Sequence, residues 1–345
     1  MNYRALGRTG LRTSEIGFGA WGIGKTSWIG AEDDFSVQAL IAARDAGITF
    51  FDTALAYGNG HSERLIARTF GNSSELIIAT KVPPKNHQWP ARSAVPLREV
   101  FPKDHVLQCL KSSLTNLQRE TVDLYQFHVW SDEWADAPEW FETLREIKTS
   151  GMVRFVGISV NDHQPTNVLK ALSTGLIDSV QVIYNIFDQS PEDELFPFCR
   201  KRNIGIIARV PFDEGSLTGR VGPDTTFPAG DFRAYYFAGR RKREVWNRVQ
   251  KLIQDLGLSI DELPALALRF CCSHPAVSTV IPGMRTQEHV RHNVNSVLAC
   301  ALPAETLRRL RSHRWIRNFY APSPSLVDKL RRKVLSQRNR ELTTV

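Results

Sequence analysis

Three ionisable side chains each close a short apolar run: Asp52 after Ile48–Phe51, Lys81 after Leu76–Thr80 and His128 after Val122–Phe127. A fourth, Tyr57, lies five residues beyond Asp52. Together these types make a proton-donating site. A phenol has an unperturbed pKa of about 10, a neighbouring lysine cation lowers it, a carboxylate holds the lysine, and an imidazole orients a carbonyl oxygen. Taken singly, Asp52 reads as a helix cap or turn residue, and Lys81 before Pro83-Pro84 as a solvated loop lysine. His128 near Trp130 reads as a packing histidine and Tyr57 as a loop aromatic. Their joint occurrence at the ends of consecutive apolar runs argues for a site instead.

Such residues need a frame, and the rest of the chain supplies its pattern. Strand-like runs recur at Ile16–Gly19, Ile48–Phe51, Leu76–Thr80, Val122–Phe127, Val153–Ile158, Ser179–Ile183, Ile204–Arg209 and Val277–Ile281. Helical periodicity fills the intervals: Asp34–Ala46, His61–Phe70, Asp104–Leu117, Glu139–Thr149, Pro165–Ser173, Glu192–Lys201, Arg243–Leu256, Pro264–Cys272 and Gln287–Val297. Strict alternation of strand and helix calls for a parallel sheet, and eight units favour closure into an α/β (β/α)₈ TIM barrel. An open doubly wound sheet is the main alternative, but no G-x-G-x-x-G follows an early strand. In a barrel, strand ends share one mouth, and strands about 4.8 Å apart bring Asp52, Lys81 and His128 within reach of one another. The residues before Ile16 read as an N-terminal hairpin around Gly7–Gly10, a plug at the barrel floor. Gly215–Gly239, with its Tyr235-Tyr236-Phe237 cluster, reads as a lid or binding loop.

Composition narrows the class further. Hydrophobic residues make up 42% and charged residues 23%, and no run is long enough for a membrane span. The first residues lack the apolar stretch of a secretory leader, and five scattered cysteines lack C-x-x-C spacing. The expectation is a cytoplasmic protein without a metal site. Of the net charge of +8, the segment Pro322–Val345 carries +4, from six Lys/Arg against Asp328 and Glu341. Residues 1–321 are therefore expected to form the barrel and 322–345 a basic C-terminal tail. Within that tail, Ser325–Leu342 can be written as a helix with Leu326, Leu330, Val334 and Leu335 on one side. With half the excess charge in an appendage, the charge balance argues against nucleic acid as the partner.

The stretches FFDTALAYGNGHSE (Phe50–Glu63), IIATK (Ile77–Lys81) and VDLYQFH (Val122–His128) resemble the tetrad-bearing segments of the aldo-keto reductase superfamily. The similarity continues through VGIS (Val156–Ser159), QVIYN (Gln181–Asn185), VPFDEGSLTGR (Val210–Arg220) and VIPGMRTQEHVRHN (Val280–Asn293). The resemblance implies that Tyr57 is the general acid, that Lys81 and Asp52 tune it, and that His128 positions the substrate carbonyl. It implies that Ser159 and Gln181 hold a nicotinamide carboxamide and that Val210, Pro211, Phe212, Gly215 and Leu217, continuing to Arg220, lie along a pyrophosphate. Gly283, Arg285, His289 and Asn293 then meet the adenosine end, and Trp21 counts among the cofactor contacts. Arg285 just before a helix start suits a phosphate on general grounds, which favours NADP(H), although pairing with Glu288 is the plainer use.

Two positions depart from the family pattern. Its Ser-Asn pair is Ser159-Val160 here, with Asn161 one place late, and Arg209 stands where many relatives stack an aromatic on the nicotinamide. The expected reaction is hydride transfer between the cofactor and an aldehyde, ketone or sugar. Trp28, Trp89 and Trp130, all after strand ends, are the candidate substrate contacts and lean towards a sugar-like ligand. The rival reading is an NADPH-sensing regulatory subunit, since the scaffold also resembles potassium-channel β-subunits. Oligomeric state is not legible.

Overall fold

The computed structural model describes residues 1–298 and 301–320. Along a strand, successive side chains point to opposite faces, and here that alternation sorts inside from outside. Phe50 faces the barrel interior with Ile77, Ala79, Leu124, Ile207 and Ile281, whereas Phe51, Ile78, Tyr125 and Phe127 pack outward against the helices.

The hairpin comes first: β1 (Tyr3–Ala5) pairs antiparallel with β2 (Arg12–Ser14). Leu6 and Leu11, in the turn between them, join the interior cluster, so the hairpin does plug the barrel. Eight strands follow: β3 (Phe18–Gly19), β4 (Phe50–Asp52), β5 (Ile77–Val82), β6 (Val122–Phe127), β7 (Val153–Ser159), β8 (Ser179–Ile183), β9 (Gly205–Arg209) and β10 (Thr279–Ile281). They pair in chain order, every ladder parallel. Parallel bridges from Ile16 to Val280 and from Gly19 to Gly283 return the last strand to the first and close the barrel.

The helices lie close to their expected spans, with two informative differences. The helix expected at Pro165–Ser173 begins only at Leu169, because Asn167 is engaged elsewhere. Its amide donates to the Trp130 carbonyl, and its side-chain oxygen accepts from the Asp132 backbone, which holds Gln164–Val168 in turns. The Glu192–Lys201 span divides into a 3₁₀ turn at Ser190–Glu192, led by Pro191, and a helix at Leu195–Arg202. The Gly215–Gly239 loop also carries a short helix, Phe232–Tyr236, whose start is capped by Asp231.

Cys109, Cys199, Cys271 and Cys272 are free and buried. Among the described residues no helix is long and apolar enough to cross a membrane, and no group of His, Cys, Asp or Glu could hold a metal ion. The tail helix expected at Ser325–Leu342, the 321/322 boundary and Cys300 lie outside the described residues.

Candidate active site

Interior-facing alternation extends upward from the packed floor to the mouth. Asp52 stands two residues above Phe50, Lys81 two above Ala79, and Gln126 two above Leu124. Asp52 pairs across the sheet with Ala79, and Lys81 with Gln126, so the polar side chains climb as the strands proceed. Lys81 Nζ donates to Asp52 Oδ2 at 2.6 Å, to the Thr53 carbonyl at 2.8 Å and to the Tyr57 hydroxyl at 3.3 Å. Asp52 Oδ1 accepts from Gln181 Nε2 at 2.7 Å and from Gln126 Nε2 at 3.3 Å. Tyr57 returns over this group through a tight turn, Tyr57 N–H donating to the Ala54 carbonyl at 2.9 Å. The turn needs Gly58: its φ is 68°, and a Cβ there would lie 2.1 Å from the Gly24 carbonyl oxygen. The Tyr57 and His128 rings meet edge to face at 5.7 Å, which brings all four expected side chains into one cluster.

The electrostatics follow from burial. Lys81 is fully buried and Asp52 nearly so, and deleting one partner of such a pair typically costs about 3–5 kcal/mol. Burial works against the Lys81 cation, but the Asp52 carboxylate and the Tyr57 hydroxyl together outweigh it and raise Lys81 above its ordinary value. Burial also pushes the Tyr57 phenol up. Lys81 pulls it down, as expected, yet does not overcome burial, which Asp52 reinforces, so the net direction is upward. Burial, with Lys81 and Arg209 nearby, holds His128 well below its ordinary value, leaving a neutral imidazole whose Nδ1 has no hydrogen-bond partner.

Arg209, at the end of β9, donates to Asp162 Oδ1 at 2.6 Å and to the Val160 carbonyl at 3.1 Å. Its charge beside the mouth is therefore matched by a carboxylate. Asn161 ties down the loop after β5, its amide and carbonyl bonding the Ala91 backbone at 3.1 Å, so it is committed away from the Ser159 position. Ser159 is buried beside Gln181 across the β7–β8 ladder.

Beyond Arg209 the loop Val210–Leu217 turns sharply. Val210, Asp213 and Glu214 have φ of 57°, 49° and 55°, and Gly215 of 101°. A left-handed non-glycine residue costs about 1–2 kcal/mol, so three of them need compensation from their surroundings. Burial pushes Glu214 up to about 7, against the hydrogen bond from Tyr320 and with help from Asp213.

The far side of the mouth offers an anion site. Arg285 donates to the Ile29 carbonyl at 3.1 Å and makes no ion pair with Glu288 or any other carboxylate among the described residues. Arg220 likewise lacks a carboxylate partner among the described residues, and burial with Arg285 and Arg220 lowers His289. Asn293 Nδ2 is buried without a hydrogen-bond partner, and the space beside Gly283 is open. Unpaired cations, an orphan amide donor and an open glycine at the start of the helix Gln287–Leu298 fit the phosphate-bearing end of a dinucleotide.

Trp28 lies near Trp21, ring centroids 5.7 Å apart, and Arg233 stacks over Trp28 at 4.3 Å. Trp89 is exposed and meets His128 edge to face at 5.8 Å. Trp130 does not face the mouth. It is fully buried among Phe127, Trp134 and Trp140, packed as a core residue outside the barrel wall, which removes it from the substrate contacts. The loop Gly215–Gly239 crosses to the β3 loop: Phe232 N–H donates to the Ser27 carbonyl and Asp231 accepts from Ile29 N–H. Gln126 and Asp162 join the site without having been expected, and Phe232, Arg317 and Tyr320 border it, Arg317 and Tyr320 through Asp213 and Glu214 of the expected Val210–Arg220 stretch. Of these only Gln126 carried a sequence signal, an amide two residues before His128 in an otherwise apolar strand.

The sequence pattern of the aldo/keto reductase family matches residues 15–314. The aldo-keto reductase YhdN of Bacillus subtilis is 29% identical, over 83% of this chain and 85% of that protein. The NADH-specific methylglyoxal reductase of Escherichia coli is 25% identical, over 84% and 91%. Among solved structures, the holo form of aldo-keto reductase AKR11C1 from Bacillus halodurans superposes with a TM-score of 0.70 at 27% identity, covering 91% of this chain and 96% of that one. A closed parallel barrel with its polar cluster at the strand ends and a family pattern spanning nearly the whole chain lead to one conclusion: the chain belongs to the aldo/keto reductase family.

Proposed function

We propose that the protein reversibly interconverts a carbonyl and an alcohol with NADP(H), and that Tyr57 gives the proton to the carbonyl oxygen. The observation that carries this reading is the buried chain from Asp52 through Lys81 Nζ to the Tyr57 hydroxyl, set beside a neutral His128. Lys81 orients the phenol, Asp52 fixes Lys81, and the imidazole can donate a hydrogen bond to the same carbonyl oxygen. A bound nicotinamide cofactor supplies the hydride. Val210–Leu217, Arg220, Gly283, Arg285, His289 and Asn293 would hold it, with Ser159, Gln181, Trp21 and Arg209 at the nicotinamide end.

Family membership does not choose between the two nicotinamide cofactors, since the Escherichia coli relative is named NADH-specific. The cations Arg285 and Arg220, free of carboxylates among the described residues, favour a 2′-phosphate and hence NADP(H). For the substrate, exposed Trp89 beside His128 and Trp28 beside Trp21 favour an aldehyde, ketone or sugar with a face to stack. A purely regulatory nicotinamide-binding subunit would need no proton-transfer set, and the complete set here favours turnover. The test is a panel of aldehydes, ketones and sugars assayed with NADPH and with NADH by absorbance. Oxidation of NADPH with at least one carbonyl, faster than of NADH, is expected. Binding without turnover across the panel would favour the regulatory reading, and a preference for NADH would overturn the cofactor assignment.

A further inference from the structure

The left-handed backbone of Val210, Asp213 and Glu214 is only partly explained by bonds inside its own loop. Gly215 N–H and Leu217 N–H both donate to the Phe212 carbonyl, and Ser216 Oγ donates to Asp213 Oδ2 at 2.5 Å. The other contacts come from a segment far along the chain. Arg317 Nη2 donates to Asp213 Oδ2, and the Tyr320 hydroxyl donates to Glu214 Oε1. Both acceptors are buried, Asp213 at 1% and Glu214 at 5% exposure.

That segment is anchored independently of the loop it holds. Trp315 N–H donates to the Phe187 carbonyl at 2.8 Å, and Arg314 pairs with Asp193. Arg241 Nη1 donates to the Phe319 carbonyl at 2.8 Å, and the Tyr320 ring stacks on Phe232 at 5.8 Å. The Arg317 guanidinium lies over the Trp315 and Phe319 rings at 4.3 and 4.9 Å. The segment is thus a fixed post, and the loop is the part it holds. Two adjacent buried carboxylates in an unfavourable backbone do not serve stability, since burying like charges side by side is costly. Such an arrangement is expected where the loop's shape serves a ligand.

We propose that Arg317 and Tyr320 are positioning residues that pin Asp213 and Glu214, so that Val210–Leu217 stands preformed to receive the diphosphate of the dinucleotide. The inference rests on the nicotinamide reading above. A preformed loop lowers the ordering cost of binding and leaves the proton-transfer group untouched, so its loss falls on cofactor affinity rather than on the chemical step.

The test uses the full chain with Arg317→Met, Arg317→Lys and Tyr320→Phe. NADPH dissociation constants are measured by calorimetric titration, alongside kcat at saturating cofactor and thermal melting without cofactor. Arg317→Met should raise the dissociation constant roughly tenfold or more and Tyr320→Phe about threefold, with kcat falling less than about threefold. Arg317→Lys should recover most of the lost affinity. If Arg317→Met does not fold, Tyr320→Phe, which removes one hydroxyl, decides alone. Folded variants that bind NADPH within about twofold of wild type, or that lose kcat at unchanged affinity, overturn the inference. A wild-type protein that binds neither NADPH nor NADH overturns the nicotinamide reading and this inference with it.

Discussion

An ammonium has three N–H bonds, and Lys81 commits all three, to Asp52, Thr53 and Tyr57, so it has no freedom to swing away from the phenol. Tyr57→Phe keeps the ring and the turn that carries it but removes the transferable proton. Carbonyl reduction should fall by about 10²–10⁴-fold with cofactor affinity unchanged. Wild-type turnover in that variant would refute the proton-donor role. Because burial raises the Tyr57 phenol, it stays protonated up to and beyond about pH 10, so wild-type reduction should show no decline from its ionisation below that pH. Arg285→Ala should weaken NADPH by about 1.5–3 kcal/mol and leave NADH nearly unaffected. Equal weakening of both would make Arg285 a structural residue. Asp52, Lys81 and His128 were legible because an ionisable residue that closes an apolar strand falls where the strand leaves the barrel core for the mouth. Trp130 was not, since position after a strand end does not tell which side of the barrel wall an aromatic faces. Gln181 shows a similar limit: its type and place were legible, but not its 2.7 Å bond to Asp52.

Strands and helices were legible nearly to the residue where apolar alternation is unbroken, as at Val122–Phe127 and His61–Phe70. They were less so where a side chain competes for the backbone, as Asn167 does at the start of the helix Leu169–Ser173. The connection after β9 was legible as a lid or binding loop and, through the resemblance, as a pyrophosphate stretch, but its shape was not, because contacts that hold it come from residues 314–320 and carry no local pattern. That loop makes its own prediction. Glu214 sits at about 7 in the folded protein against an ordinary carboxyl value of 4.5. A raised carboxyl binds its proton more tightly in the folded state than in the unfolded one. Its contribution to stability is therefore fully present below about pH 4.5 and is lost as pH rises towards 7, by roughly 3 kcal/mol in all. Glu214→Gln keeps an acceptor for the Tyr320 hydroxyl and removes the titration. Unfolding followed at about pH 5 and about pH 8 should show the variant gaining stability relative to wild type at the higher pH. Parallel pH profiles would mean that Glu214 does not titrate in this window.

At the scale of the whole chain, charge is unevenly spread, with half of the net excess beyond residue 321. The described chain stays anchored to the barrel up to residue 320: Phe319 is 7% exposed, Tyr320 meets Tyr236 at 4.9 Å, and Arg317 pairs with Asp213 in the loop after β9. The following segment, Pro322–Val345, concentrates six cations against two acids, half the net charge of +8. Two truncations separate these properties. A chain ending at Ala321 keeps every contact described above, so it should melt within a few degrees of the full chain and reduce the same carbonyl at a similar rate. It should also lose about half of the excess charge and with it part of any salt-sensitive adhesion to polyanions, since net charge governs such adhesion. A chain ending at His313 removes Arg317 and leaves Asp213 as a buried carboxylate without its cation, a loss of about 3–5 kcal/mol before apolar contacts are counted. Its melting temperature should fall by on the order of 10 °C, with NADPH affinity reduced in parallel. Equal stability of the two truncated chains would show that residues 314–320 lie on the barrel without supporting it. A collapse of the longer one would place the basic segment within the folded unit.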